Sequence, residues 1–263
     1  MNAKVVQTED ARAMLPEISG IVDELVETRA KIDEINSGVS QLETLWDADI
    51  KKHDNPDAAE YLRLSTHKRT LVRLFREKAD VLDGMGCHVK DLEEREISFF
   101  TVRDDQVMFT TWNLSDPEQE AYEEIAVNAR AFTVGEANAI IPWIKEVFGQ
   151  LDAIREHLGD RQRELQLLQV MWGDAVHTEE NPDAQRAETI SVDIQEKTLR
   201  GRELELTLLR RGCQIKDYRE GLVDFYHVRD GQVVFLCWKR GEDDVEAWHT
   251  LDGGFTGRRS LES

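Results

Sequence analysis

The stretch Val245-Glu-Ala-Trp-His-Thr-Leu-Asp-Gly-Gly-Phe-Thr-Gly-Arg-Arg259 concentrates side chains that could do chemistry. His249 and Asp252 stand three residues apart, a spacing that one helical turn would place on a single face. Upstream, Asp224 interrupts the apolar run Leu222-Val-Asp-Phe-Tyr226. A carboxylate buried there is costly unless it is paired or coordinated. An acid, a histidine and a second acid form a candidate set for a divalent metal, so Asp224, His249 and Asp252 are the expected metal ligands. Gly253, Gly254 and Gly257 allow close backbone approach, and Arg258 and Arg259 follow them. That combination could cradle a small anion, with Arg258, Asp217 and Asp224 as the expected ligand-binding residues. The plainer reading makes Asp224 a partner for Arg258, Asp252 a turn cap and the arginines a clamp on an acidic body. The sequence singles out no catalytic residue, and it carries no nucleotide, haem or flavin signature.

These residues need elements to hold them. Leu222–Val228 and Gln232–Trp238 alternate with a period of two and flank Asp230-Gly231, the strongest short hairpin signal. A two-residue turn there puts Asp224, Tyr226, Phe235 and Cys237 on one face. Val223, Phe225, His227, Val234, Leu236 and Trp238 take the other face, and a third strand is expected over Cys213–Tyr218. Before the strands, Ile140, Ile144, Val147, Phe148, Leu151, Ile154, Leu158, Leu165, Leu168 and Met171 mark a helical stripe. That helix starts near Thr133 or Val134 and spans on the order of 50 Å. Pro142 predicts a kink or a late start. A loop over Gly173–Asp183 leads to a second helix over Ala184–Arg211, stopped by Gly212.

All of this occurs twice. With an offset of 126, Pro16 overlays Pro142, Trp46 overlays Trp172, and Asn55-Pro-Asp-Ala58 overlays Asn181-Pro-Asp-Ala184. Gly86-Cys87 overlays Gly212-Cys213, and Val102-Arg-Asp104 overlays Val228-Arg-Asp230. The expected fold is therefore α+β. It has two tandem repeats, residues 1–126 and 127–263, each a long antiparallel α-hairpin followed by a small antiparallel β-meander. The repeats would be related by a pseudo-two-fold axis around a four-helix core, as in a homodimer fused into one chain, monomeric or a dimer of such chains.

The duplication also acts as an internal control. Asp224 corresponds to Ser98, His249 to Glu123, Trp248 to Tyr122 and Asp252 to Ala126, so the chemistry belongs to the second copy. That copy resembles a widespread prokaryotic family of uncharacterised domains, usually found as a single unit. The shared residues are Gly212, Ile215-Lys-Asp217, Gly221-Leu-Val-Asp-Phe225, Arg229-Asp-Gly231, Leu236-Cys-Trp238, Gly241-Glu242 and Trp248-His-x-Leu-Asp-x-Gly-Phe-x-Gly-Arg258. The resemblance covers residues 132–260, with only the helical frame and a degraded strand region in the first copy. It implies no known activity.

Composition sets the boundaries. Lys and Arg number 33 against 53 Asp and Glu, a net charge of −20, which repels a phosphate backbone and argues against nucleic-acid binding. There is no apolar run of bilayer length and no apolar signal core at the start, so no membrane is expected. Three cysteines (Cys87, Cys213, Cys237) without a CxxC point to a reducing cytoplasm, and their apolar neighbours mark them as core.

Two function classes remain. In one, the second repeat holds a small-ligand or divalent-metal site built from Asp224, His249, Asp252 and Arg258. In the other, the protein is a non-catalytic helical scaffold that binds a partner protein through its long α-hairpins. The first is favoured, because a clamp does not need His, Asp, Arg and three glycines together.

Overall fold

The computed structural model describes residues 2–262. Its contacts divide the chain into two compact units, one comprising 1–125 with 228–233 and the other 126–227 with 234–263. Among the described residues each repeat is a long helical hairpin followed by an antiparallel sheet, the α+β organisation that the alternating periods predict.

In the first repeat α1 (Thr8–Trp46) and α2 (Ala58–Met85) form the hairpin. Strands β1 (Cys87–Asp91), β2 (Glu96–Arg103), β3 (Gln106–Asn113) and β4 (Asp116–Glu124) follow and pair in sequence order. In the second repeat α3 (Val134–Trp172) and α4 (Ala184–Arg210) form the hairpin. Strands β5 (Gln214–Asp217), β6 (Leu222–Arg229), β7 (Gln232–Lys239), β8 (Ala247–Thr250) and β9 (Arg259–Ser260) again lie in sequence order.

Local chemistry explains the helix ends. Thr133 caps α3 reciprocally with Glu136: the Thr133 hydroxyl accepts from the Glu136 amide at 3.2 Å, and the Thr133 amide donates to the Glu136 carboxylate at 2.8 Å. The equivalent cap of α1 is Gln7, which makes no side-chain cap bond. Pro142 neither delays nor ends α3, which is continuous from Val134 to Trp172. The hairpin loops are built alike. Asn181 donates to the carbonyls of Ala175 (3.1 Å) and Val176 (3.0 Å), and Trp172 Nε1 donates to Asp183 at 3.0 Å. Asn55 donates to Asp49 at 3.2 Å and Trp46 to Asp57 at 2.8 Å in the first repeat. The residues kept in both copies thus serve the loop.

Each unit buries its stripe against its own sheet. In the second, Ile141, Ile144, Phe148 and Leu151 of α3 and Leu204 and Leu208 of α4 meet Val223 and Phe225 of β6 and Leu236 and Trp238 of β7. Past the reach of the sheet, a smaller cluster of Leu168, Val176, Ala187 and Ile190 closes the distal end. The stripe does not extend to Met171, which is 67% exposed beside Leu167 and Val170. The last turn of α3 precedes the short 3-10 segment Gly173–His177, and it is Val176 that turns in.

Asp230 and Gly231 both adopt positive φ, 53° and 72°, the signature of the tight hairpin turn expected there. Asp104 and Asp105 hold the same conformation in the first repeat at φ 50° and 60°, so the turn tolerates Asp where the second copy has Gly. Among the described residues no helix is long and apolar enough to cross a membrane.

Candidate metal centre

Strand alternation builds the centre. Val223, Phe225, Leu236 and Trp238 face the helices, which turns Asp224 and Cys237 to the other side of the same sheet. Strand β8 then lies against β7 with His249 opposite Phe235, and this register brings the imidazole over the Asp224–Cys237 face. Asp224, Cys237 and His249 each offer one ligand atom, and these atoms lie within 4.8 Å of one another. Each of the three residues is about 2% exposed. The cluster lines a pocket of about 250 Å3, with Lys216, Leu222, Phe235 and Phe255 among its other walls.

The hydrogen bonding is asymmetric. His249 Nδ1 lies 2.7 Å from the carbonyl of Thr250, which can only accept, so Nδ1 carries a proton. Nε2 is left facing Asp224 Oδ2 at 3.2 Å. In the neutral ring that nitrogen bears a lone pair, and a lone pair against a carboxylate is unfavourable without a proton or a cation between them. Burial by itself pushes the His249 pKa down, but the contact with Asp224 and the bond to Thr250 outweigh it and the net shift is upward. The other Asp224 oxygen, Oδ1, is buried with no hydrogen-bond partner. Burial, reinforced by the Asp224 charge, pushes the Cys237 thiol up to about 12. Without a metal, that cysteine is a poor nucleophile.

Of the residues singled out by sequence, Asp224 and His249 come together here. Asp252 borders the same pocket, but its Oδ1 accepts from the Thr250 hydroxyl at 2.8 Å, which holds its pKa below the usual carboxylate range. The three-residue spacing from His249 is not a helical turn, because Ala247–Thr250 is a strand and Asp252 lies in the turn after it. Asp217 caps its own turn. Its Oδ1 accepts from the amides of Glu220 (2.9 Å) and Arg219 (2.7 Å), and these bonds lower its pKa. Asp91 does the same for Glu93 and Glu94 in the first repeat, so this carboxylate serves the fold. Arg258 closes on Glu242 at 2.6 Å and reaches the Cys237 carbonyl at 3.4 Å, bracing the strand that carries the cysteine. Glu242 is held at both oxygens, since the other accepts from the Lys239 amide at 2.8 Å.

Sequence reasoning placed Cys237 on the Asp224 face yet left it among the core residues. The signal was there: a cysteine opposite an acid on the same face of the hairpin. Only the fold of β8 over that face showed that a third donor joins them.

The donor set suits a metal. One thiolate, one imidazole and one carboxylate match a borderline ion such as zinc, and the Nδ1–H bond to a backbone carbonyl is the usual outer support of a ligating histidine. Tetrahedral ligation needs donor separations of roughly 3.3–3.8 Å, so the cluster, whose ligand atoms lie within 4.8 Å of one another, has to contract by about 1.5 Å at most to close on an ion. The unpartnered Asp224 Oδ1 supplies a ready donor.

Fold and cluster together define a tandem-repeat α+β protein with, among the described residues, one buried Asp/Cys/His cluster, carried by the second repeat. The family model described as uncharacterized conserved protein (DUF2203) matches twice, at residues 4–126 and 130–261, and the chain belongs to that family as a tandem duplication. The first match runs through β1–β4, so the family frame covers the strands of the first copy as well as its helices. No curated relative and no solved structure matches the chain.

Proposed function

We propose that the second repeat binds one divalent metal ion of the zinc class through Asp224, Cys237 and His249, leaving a fourth position open to the pocket. The observation that carries this is the committed Nδ1 of His249, which leaves Nε2 aimed at Asp224 inside a fully buried cluster. Three protein ligands with an open position are the pattern of zinc sites that handle a ligand or water, as against the closed four-ligand pattern of structural zinc. A bound ion would supply Lewis acidity. The chain supplies an apolar wall at Leu222, Phe235 and Phe255 and, among the described residues that line the pocket, one cation, Lys216. The earlier set is thereby revised in two places: Cys237 takes the ligand role given to Asp252, and Arg258 becomes a brace behind the site.

The test is elemental analysis of untagged protein, wild type and His249→Ala, with cobalt substitution in parallel. Near-stoichiometric zinc that is lost in the variant supports the reading, as does a thiolate-to-cobalt charge-transfer band that disappears in Cys237→Ser. Metal-free protein whose melting does not respond to added zinc would falsify it.

A scaffold role has one observation in its favour, the exposed apolar triplet Leu167, Val170 and Met171 at the end of α3, which are 65%, 79% and 67% exposed. Absence of metal would move the balance to that reading.

A further inference from the structure

Lys216 and Lys90 occupy the same place in their repeats and meet different surroundings. Each is the extra residue where the first strand of its sheet slips register against the second, between Ile215 and Asp217 and between Val89 and Asp91. The slip gives each lysine the same route over the outer face of its sheet. In the first repeat Lys90 Nζ lies 2.7 and 2.8 Å from the two oxygens of Glu123 and 3.2 Å from Glu96. Those bonds, Glu123 first, raise its pKa. Glu123 stands opposite Phe109 just as His249 stands opposite Phe235.

In the second repeat both carboxylates are gone. Leu222 replaces Glu96 and His249 replaces Glu123, and both line the pocket. Among the described residues Lys216 has no ion-pair partner; its Nζ lies over the Phe235 ring, 4.3 Å from the centroid. The first copy therefore displays a carboxylate docked on this lysine, and the second keeps the lysine but opens the carboxylate's place into a pocket.

The geometry points to a small carboxylate-bearing molecule as the ligand of this pocket, its carboxylate held between Lys216 and the metal position, its body against Leu222, Phe235 and Phe255. This rests on the metal reading above. The pocket, about 250 Å3, is smaller than the roughly 300–1,000 Å3 of sites for drug-sized ligands, so the occupant is small. One ammonium matches a monoanionic carboxylate better than a phosphate dianion. No arginine is among the described residues that line the pocket, and Arg258, which braces the strand behind it, is held by Glu242.

The experiment uses the full chain with and without added zinc and follows the 19F line width of fluoroacetate as the protein is titrated. Broadening in the zinc-loaded wild type is expected. In Lys216→Met it should weaken at least tenfold with zinc content unchanged, and Lys90→Met, which removes the same ammonium from the first copy, should behave as wild type. His249→Glu, which installs the carboxylate of the first copy, should abolish it. Equal broadening in wild type and Lys216→Met, or none in zinc-loaded wild type, overturns the proposal. So does displacement by inorganic phosphate at a tenth of the concentration needed for acetate. Should the protein bind no zinc, the metal reading fails by itself. Lys216-dependent broadening in that metal-free protein would then still support the carboxylate, and its absence would overturn it.

Discussion

His249 Nε2 lies 3.2 Å from Asp224 Oδ2, and both side chains are about 2% exposed. A buried pair of this kind is costly to break from one side, because the remaining partner is left without compensation. In the metal-free protein, Asp224→Ala is expected to lose about 3 kcal/mol of stability. The double variant Asp224→Ala/His249→Ala should lose less than the sum of the singles by about 1–3 kcal/mol. Urea denaturation of the four proteins completes the cycle; strict additivity would show that the two groups do not interact.

All three cysteines are buried, and burial pushes each thiol up to about 12. The expected result of a thiol titration at mild alkaline pH is no fast-reacting group in the native protein and full reaction in denaturant. A single fast thiol that maps to Cys237 would mean that the pocket activates it as a nucleophile.

The cap of α3 depends on pH in a defined direction. The Thr133 amide and hydroxyl bonds hold the Glu136 carboxyl below its usual pKa. A depressed folded-state value means that its contribution is fully present above the unfolded carboxylate pKa and is lost as pH falls through the folded one. The difference in urea midpoint between wild type and Glu136→Gln should therefore be largest at neutral pH and close on acidification. Thr133→Ala should cost about 1 kcal/mol. The same substitution pattern at Gln7, which caps nothing, should have no measurable effect.

Neighbouring residues at the end of α3 should behave oppositely. Leu168 is 4% exposed inside the distal cluster, so Leu168→Ala should cost about 2–4 kcal/mol. Val170, 79% exposed, should accept lysine within about 0.5 kcal/mol. Thermal melting of the two variants reads both, and a large loss at Val170 would place the stripe one face away.

The offset of 126 and the two hydrophobic periods were enough to read the repeats, the helix start near Thr133 and the hairpin at Asp230-Gly231. Those features are set by neighbours a few residues apart: a hydroxyl against an amide one turn on, or a side-chain alternation along a strand. The same alternation put Asp224 and Cys237 on one face. The end of the stripe was misjudged at Met171 because periodicity says where a face points and cannot say where the covering element stops.

The tail divided along the same line. Its composition set the second copy apart, since His249, Asp252 and the glycines have no counterpart in the first. Its geometry did not follow from spacing. Whether Trp248-His249 is strand or helix depends on β8 finding an edge of β7 to pair with, a contact between segments joined only in three dimensions. That pairing brings His249 up to Asp224 and Cys237, while Arg258 closes on Glu242 and Lys216 lines the pocket. Local sequence determined the elements and which of their faces carry polar groups. Only the tertiary structure decided which polar groups share a space, because strand pairing across long separations sets distances that no spacing along the chain encodes.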